Sequence, residues 1–426
     1  MANNESKRPR VVILGGGIGG IRAAQKLANE PVDVLIIDHT NCQVFQPLLY
    51  QVATSMLSAD EVAYPIRAFF QKAKNVDFLL AKVERVEPKE KCVITDHGDI
   101  AYDYLIIALG STPNFFGSKT IEANALPLKT LPDAIAIRNH ILRVFEAAAH
   151  EADTEKRKAL LTFVFVGTGP IGVEGAGGVS ELIYDVFQKE YHTIDFSEVS
   201  LQIIAADPGV LMMMPEKLRK EAENVLKKMK IDVQCSMMVT GYDGEVLTYR
   251  PFSAPKDSPL TKIRTKTVVW AAGVRPVDCL ESLEAEKDRG HRIITDATMR
   301  AKGYEDVYVV GDCGSYTLPG QERPLPTLAP VALAGGTTAA KNILHAIHGE
   351  ALEDMHYKDK GVMAIIGNSA AVLATGPIQG TGFLAWSAWL WIHLLTKAGF
   401  HANITVTFKW IFNHLSGTRL GRMITR

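Results

Sequence analysis

The stretch VVILGGGIGG at residues 11–20 constrains the fold of this chain more than any other. Four apolar residues run straight into Gly15, Gly16, Gly17, Ile18, Gly19 and Gly20, and Ile21-Arg22-Ala23-Ala24 follows. The order predicts a short buried strand, a glycine turn and a helix. Gly15, Gly17 and Gly20 fit the G-x-G-x-x-G spacing. The first glycine permits a tight turn, the second lets backbone approach a pyrophosphate, and the third lets helix pack close to strand. The helix start offers free N–H groups and positive dipole charge to phosphate. A second strand over residues 32–37 ends in Asp38, whose carboxylate can accept hydrogen bonds from an adenosine ribose. Together these parts describe a dinucleotide-binding unit rather than a mere glycine-rich turn.

The pattern recurs. Residues 160–166 read as a strand, Gly167-Thr168-Gly169-Pro170-Ile171-Gly172 repeats the spacing, and a helix opens at Val173-Glu174. Two such units predict an α/β protein with two dinucleotide sites facing each other. The second unit is altered. Its next strand, Leu201-Gln202-Ile203-Ile204, leads to Ala205 where an acid is expected. Asp207 lies two residues on and shares a face with Ala205 only if the strand continues, which Pro208 opposes. Losing a charged hydrogen bond to a ribose costs about 1.5–3 kcal/mol. No Arg stands beside Ala205 in sequence to receive a 2′-phosphate instead.

With 426 residues the chain has room for two or three domains. Its formal net charge of −1 provides no global field for nucleic acid, which is not expected as a partner. The cysteines number five and show neither a C-x-x-C pair nor metal-ligand spacing. A reducing compartment is expected, with no redox-active disulfide and no metal site. The opening MANNESKRPR lacks the apolar core of a signal peptide, and no uncharged apolar run is long enough for a spanning helix.

Other stretches carry weaker signals. Phe45-Gln46-Pro47-Leu48-Leu49-Tyr50-Gln51 can line an apolar pocket with amide donors, or form an ordinary helix–loop with one hydrophobic face. Pro65 reads as the first residue of a helix. Short strands are expected at residues 76–80, 82–86, 92–95 and 104–108, a mostly helical segment at 126–149, and a charged stretch of low β-propensity at 151–158. Residues 307–310 read as a buried strand ending in Gly311-Asp312. An acid there points into the ligand crevice of a parallel sheet, or caps a helix. Residues 328–347 form a small-residue helix suited to a flat ligand or to another helix. In the tail, Phe383, Trp386, Trp389 and Trp391 precede Phe408, Trp410, Ile411, Phe412 and Leu415, flanked by Lys409, Arg419, Arg422 and Arg426. Such faces suit helices lying in a membrane interface, a dimer contact, or docking on the body of the protein.

Taken in order, VVILGGGIGG, VFQPLLYQVAT, YDYLIIALGS, LTFVFVGTGPIGVEGAG, VVWAAGV, VYVVGDC, LAPVA, YKDKG and GFLAWSAWLWIHL resemble the type II NADH:quinone oxidoreductases nearly end to end. The C-x4-C of sister disulfide reductases is absent. The resemblance implies a two-dinucleotide-binding-domain, glutathione-reductase-like flavoprotein fold. FAD-binding segments at 1–117 and 291–381 would surround an NAD(H)-binding domain at 118–290, with C-terminal amphipathic, membrane-associating helices at 382–426. It implies FAD held by Gly15, Gly17, Gly19, Gly20 and Asp38, with Val83 and Gly110 close by. Gly311 and Asp312 would meet the ribityl chain, and Ala329, Val331 and Ala332 the isoalloxazine. NADH would lie over Gly167, Gly169 and Gly172. Glu174 matches an acid the family carries near the flavin, for hydrogen bonding to nicotinamide or proton relay. Read from the residues alone, Glu174 is an ordinary helix N-terminal acid. A membrane quinone would enter beside Phe45, Gln46, Pro47 and Gln51. The resemblance further implies peripheral attachment to lipid at the cytoplasmic face of the cell membrane, and it allows a homodimer.

Four departures stand out: Ala205 for an acid, Ala334-Gly335 for a glutamine pair, Asn368 for a basic residue after Ile366-Gly367, and Ala108-Leu109-Gly110 for an ATG turn. They leave two other functions open. One is an NAD(P)H-dependent flavin reductase with a non-quinone acceptor; the other is a flavoprotein that binds a partner without turnover.

Overall fold

The computed structural model describes residues 8–367, 370–396, 405–407, 409–410, 419 and 421–425. Strand β1 (Arg10–Leu14) enters the first glycine turn and helix α1 (Ile18–Leu27), and β2 (Asp33–Asp38) delivers its terminal acid. After the short helix α2 (Leu49–Ala53) come β3 (Val76–Leu80), β4 (Tyr104–Ile107) and the two-residue β5 (Leu126–Pro127). Helix α3 (Leu131–His150) starts where the side chains of Thr130 and Asp133 bond each other's backbone N–H in a capping box, with Pro132 in the first turn. Strand β6 (Thr162–Val166) enters the second glycine turn and α4 (Pro170–Glu181), which runs on through a π-helical stretch, Leu182–Phe187. Then follow β7 (Ser200–Ile204), α5 (Glu216–Lys228), β8 (Ile231–Gln234) and β9 (Thr267–Trp270). The chain continues through β10 (Val307–Val309), α6 (Ala329–His348), the strands β11 (Val362–Ile365), β12 (Ala371–Thr375) and β13 (Ile378–Thr381), and α7 (Gly382–Thr396).

The chain packs as two compact units. The first comprises Met1–Val44, Ala63–Thr112 and Val274–Lys358; the second comprises Phe45–Val62, Pro113–Gly273 and Asp359–Arg426. The first is built on a parallel sheet in the order β10-β4-β1-β2-β3. Val11, Val12, Ile13 and Leu14 are fully buried, because both faces of a parallel sheet are covered. One face packs on α1 and α6 through Ala23, Ala24, Ala339, Ala340 and Ile343. The second unit repeats the plan in the order β5-β9-β6-β7-β8, again all parallel. Its antiparallel sheet β11-β12-β13 packs on α4, α5 and α7.

The packing boundaries differ from the sequence-derived ones. Residues 45–62 join the second unit because α2 packs on α3 and α4. Residues 359–381 join it as well, and α7 is a layer on β12 rather than a separate segment. Locally, Pro65 stands one residue before the helix Ile66–Phe69 and caps it, instead of opening it. The charged stretch after residue 150 is partly a helix, Thr154–Leu160, because Asp153 caps it by accepting from Glu155 N and Lys156 N. Asn368 lies outside the described residues, as do Phe408, Ile411, Phe412, Leu415 and Arg426.

Candidate active site

In the first unit, the parts predicted from sequence converge at the carboxyl end of the sheet. Gly15 has φ +101° and its N–H donates to Ile37 O at 2.7 Å, which closes the turn against β2. A Cβ on Gly20 would lie 1.9 Å from Gly15 O, so only glycine lets α1 start this close to β1. Asp38 Oδ2 accepts from Gly16 N at 2.7 Å, and Oδ1 accepts from Thr40 N and Thr40 Oγ1. Val83 is buried at the start of the strand Val83–Glu87. At the crevice formed by the strand ends, Gly110 has φ +70° and open space beside it. Ser111 Oγ donates to Asp312 Oδ2 at 2.6 Å. Gly311 has φ +76° after β10, and Ala329, Val331 and Ala332 form the first turn of α6. Ala332 O packs beside Gly19.

These residues fit FAD. A helix start presents N–H groups to a pyrophosphate, and nothing lies within 4 Å of a Cβ built on Gly17, which leaves a cradle for phosphate oxygens. Asp38 Oδ2 has a lone pair beyond its bond to Gly16, suited to a ribose hydroxyl. The altered pair in α6 is structural: Gly335 is buried against Met299 and Val310, and Ala334 packs on the core beside α1.

The second unit repeats the geometry closely. Gly167 has φ +118°, and its N–H donates to Ile204 O at 3.0 Å. A Cβ on Gly172 would lie 2.1 Å from Gly167 O. Leu14 pairs with Ile37 in one sheet and Val166 with Ile204 in the other, so Ala205 stands at the place of Asp38. The strand stops at Ile204, as Pro208 predicts. Asp207 nevertheless returns to the glycine turn, where its Oδ2 accepts from Thr168 Oγ1 at 3.1 Å.

Glu174 is not a surface acid near a helix start. It lies beyond the first turn of α4, is 6% exposed, and its Oε1 accepts from Ile365 N of β11 at 3.2 Å. Burial raises its pKa from 4.5 to about 8, with the Ile365 bond opposing the shift. At neutral pH the group is therefore mainly a protonated, neutral acid. Tyr50 is also buried, and burial together with the Glu174 carboxyl pushes its hydroxyl well above the ordinary tyrosine range.

A narrow slot in the same unit is lined by Tyr50, Gln51, Met56, Trp386, Leu390 and Trp410. Of Phe45, Gln46, Pro47 and Gln51, only Gln51 lines it. The Gln51 amide is committed: Nε2 donates to Tyr50 Oη at 2.9 Å, and Oε1 accepts from Trp410 Nε1 at 2.7 Å. Gln46 is exposed and reaches Lys129 at 3.4 Å.

Sequence reasoning missed the role of the tail in building this wall. Arg419 is 3% exposed. Its Nη1 donates to Thr54 O and Gly178 O, and its Nη2 to Glu181 Oε2, each at 2.8 Å. Lys409 Nζ meets Glu61 Oε2 at 2.9 Å, and Arg422 pairs with Glu190. The basic flank expected to face lipid headgroups is thus, at these three positions, spent on internal ion pairs. The apolar half of that expectation has a surface to act through. Ala385 and Trp389 are buried, while Phe383, Leu384, Trp391 and Ile392 are exposed. Leu384, Trp391 and Ile392 share one helix face at spacings of seven and eight. Among the described residues, no helix is long and apolar enough to cross a membrane, and no cluster suits a metal ion. All five cysteines are free.

Two parallel sheets, each with a glycine turn on its central strand, and a split chain path define a two-domain flavoprotein reductase. The model of the pyridine nucleotide-disulphide oxidoreductase family matches residues 9–336. The chain belongs to that family and, within it, to the type II NADH:quinone oxidoreductases. It is 35% identical over 428 residues to the type II NADH:quinone oxidoreductase Ndh of Mycobacterium tuberculosis, a match covering 98% of this chain and 90% of that protein. It is 28% identical over 369 residues to the type II NADH:quinone oxidoreductase of Staphylococcus aureus, covering 86% of this chain and 89% of that one. Among solved structures, NDH2 from Plasmodium falciparum in complex with NADH shares the fold. The TM-score is 0.90 at 19% identity, with 99% of this chain and 100% of that chain covered.

Proposed function

We propose that the protein passes a hydride from NADH to FAD and two electrons onward to a membrane quinone. The observation that carries this reading is the pair of parallel sheets, each with a glycine turn on its central strand and an acid returning to that turn. The first site holds FAD through Gly15, Gly17, Gly19, Gly20 and Asp38, with Val83, Gly110, Gly311, Asp312 and the first turn of α6 completing it. NADH occupies the second site over Gly167, Gly169 and Gly172. FAD, when bound, supplies the two-electron chemistry.

The chain's residues do the rest. NADH and quinone become NAD⁺ and quinol with uptake of one proton. Glu174, neutral near pH 7, holds a proton in a dry site and can donate a hydrogen bond to a carboxamide or pass that proton on. The slot beside Tyr50, Trp386 and Trp410 receives the quinone ring, with Gln51 fixing Tyr50 and Trp410 rather than binding substrate. The exposed face of α7 rests in the lipid surface, peripherally, at the cytoplasmic face where NADH is available.

The test is anaerobic stopped-flow mixing of the holoprotein with NADH, followed by a soluble quinone. Rapid flavin bleaching and quinone-driven recovery are expected. Bleaching without recovery would remove quinone as the acceptor, and no bleaching would favour a flavoprotein that binds without turnover.

A further inference from the structure

The second glycine turn lacks an acid at the strand end, yet an acid reaches it by another route. In the first unit, the residue between the first two glycines is Gly16, and Asp38 grips its backbone N–H at 2.7 Å. The counterpart of Gly16 in the second unit is Thr168, which is 1% exposed and donates its side-chain hydroxyl to Asp207 Oδ2 at 3.1 Å. Asp207 stands two residues beyond the Asp38 position, and Thr168 has a side chain where Gly16 has none. The added reach of the threonine meets the displaced carboxylate. The displaced segment is fixed on its other side, since Met237 N donates to Ala205 O and Ser236 N to Asp207 O, each at 2.8 Å. Asp207 itself is exposed.

We propose that Asp207, oriented by Thr168, is the carboxylate that binds the adenosine ribose of the nicotinamide dinucleotide and makes the site select the unphosphorylated form. A ribose diol donates two hydrogen bonds to a carboxylate, whereas a 2′-phosphate brings two negative charges against it. One feature of the same loop works the other way. Arg219 of α5 approaches Gly209 and donates to Met212 Sδ at 3.1 Å, and its guanidinium is the group that would welcome a 2′-phosphate. Asp207 is bonded directly to the glycine turn, whereas Arg219 is held at Met212, and the carboxylate prevails.

The inference rests on the assignment of the second turn to a nicotinamide dinucleotide, and its test does not need electron transfer. Calorimetric titration of the FAD-loaded protein compares ADP-ribose with 2′-phospho-ADP-ribose. The native protein should bind ADP-ribose more tightly. Asp207→Asn should weaken ADP-ribose about ten- to a hundred-fold while the phosphorylated ligand is unchanged or improved. Thr168→Val should move the preference the same way by less. Asp207→Asn should also raise the KM for NADH with the limiting rate of flavin bleaching preserved. Equal weakening of both ligands would reduce the Thr168–Asp207 bond to a loop brace and overturn the proposal. So would a native preference for the phosphorylated ligand, which would assign the site to Arg219. Preference for ADP-ribose without flavin bleaching by NADH would instead sink the electron-transfer reading and leave the ribose assignment standing.

Discussion

Replacing Glu174 by Gln tests whether the acid buried between α4 and β11 is neutral. The folded protein holds a proton at Glu174 up to about pH 8, where an ordinary glutamate has released it above 4.5. Over that interval the native state binds more protons than the unfolded chain, so stability falls as pH rises from about 4.5 to about 8 and levels off above. At about 1.36 kcal/mol per pH unit, the full fall from this one group approaches roughly 4–5 kcal/mol. Glutamine keeps an acceptor for Ile365 N and has no proton to lose, so Glu174→Gln should abolish this component. By pH 8.5 the variant should be stabler than the native protein by up to about 4 kcal/mol relative to their difference at pH 4.5. Urea titrations of both holoproteins followed by tryptophan fluorescence at several pH values give that difference directly. The same pair should separate in stopped flow, with FAD retained and turnover slowed about a hundred-fold, the usual contribution of a positioned proton donor. A stability difference independent of pH would show that Glu174 is ionised in the folded state, and the reasoning would fail. An unchanged turnover rate would remove its chemical role while leaving the burial argument intact.

Three further outcomes are expected. Asp38→Ala strips the Gly16 and Thr40 hydrogen bonds and the ribose acceptor, so the purified protein should carry far less flavin. An unchanged ratio of flavin to protein absorbance would contradict the assignment. Arg419→Met removes a buried guanidinium from its ion pair with Glu181 and from the carbonyls of Thr54 and Gly178, and should cost about 3–5 kcal/mol. The double change with Glu181→Leu should recover much of that loss in denaturant titration, and strict additivity would mean the two groups do not interact. Leu384→Glu combined with Trp391→Glu should reduce co-sedimentation with lipid vesicles while leaving NADH oxidation by a soluble quinone unaltered. Undiminished sedimentation would move the membrane face elsewhere.

Both glycine turns, the strands that feed them and Asp38 are legible in the residues alone. Each of these is written in contiguous residues, because a turn of fixed φ and a helix start are local events and a parallel core strand is an unbroken apolar run. Pairings between residues far apart in the chain depend instead on the packed fold. Glu174 becomes a neutral acid because β11 covers it, and nothing in PIGVEGAG predicts that cover. Gln51, expected as a free amide, is saturated by Tyr50 beside it and by Trp410 from the tail. The basic residues Lys409, Arg419 and Arg422 pair with Glu61, Glu181 and Glu190, although their order in sequence suits a lipid headgroup equally well. Asp207 returns to its glycine turn although the strand that would have carried it there has ended. Local propensity and periodicity fix which face a residue occupies, but a charge or an amide takes whichever partner the packed fold brings within about 3 Å, and that choice is made by the whole chain.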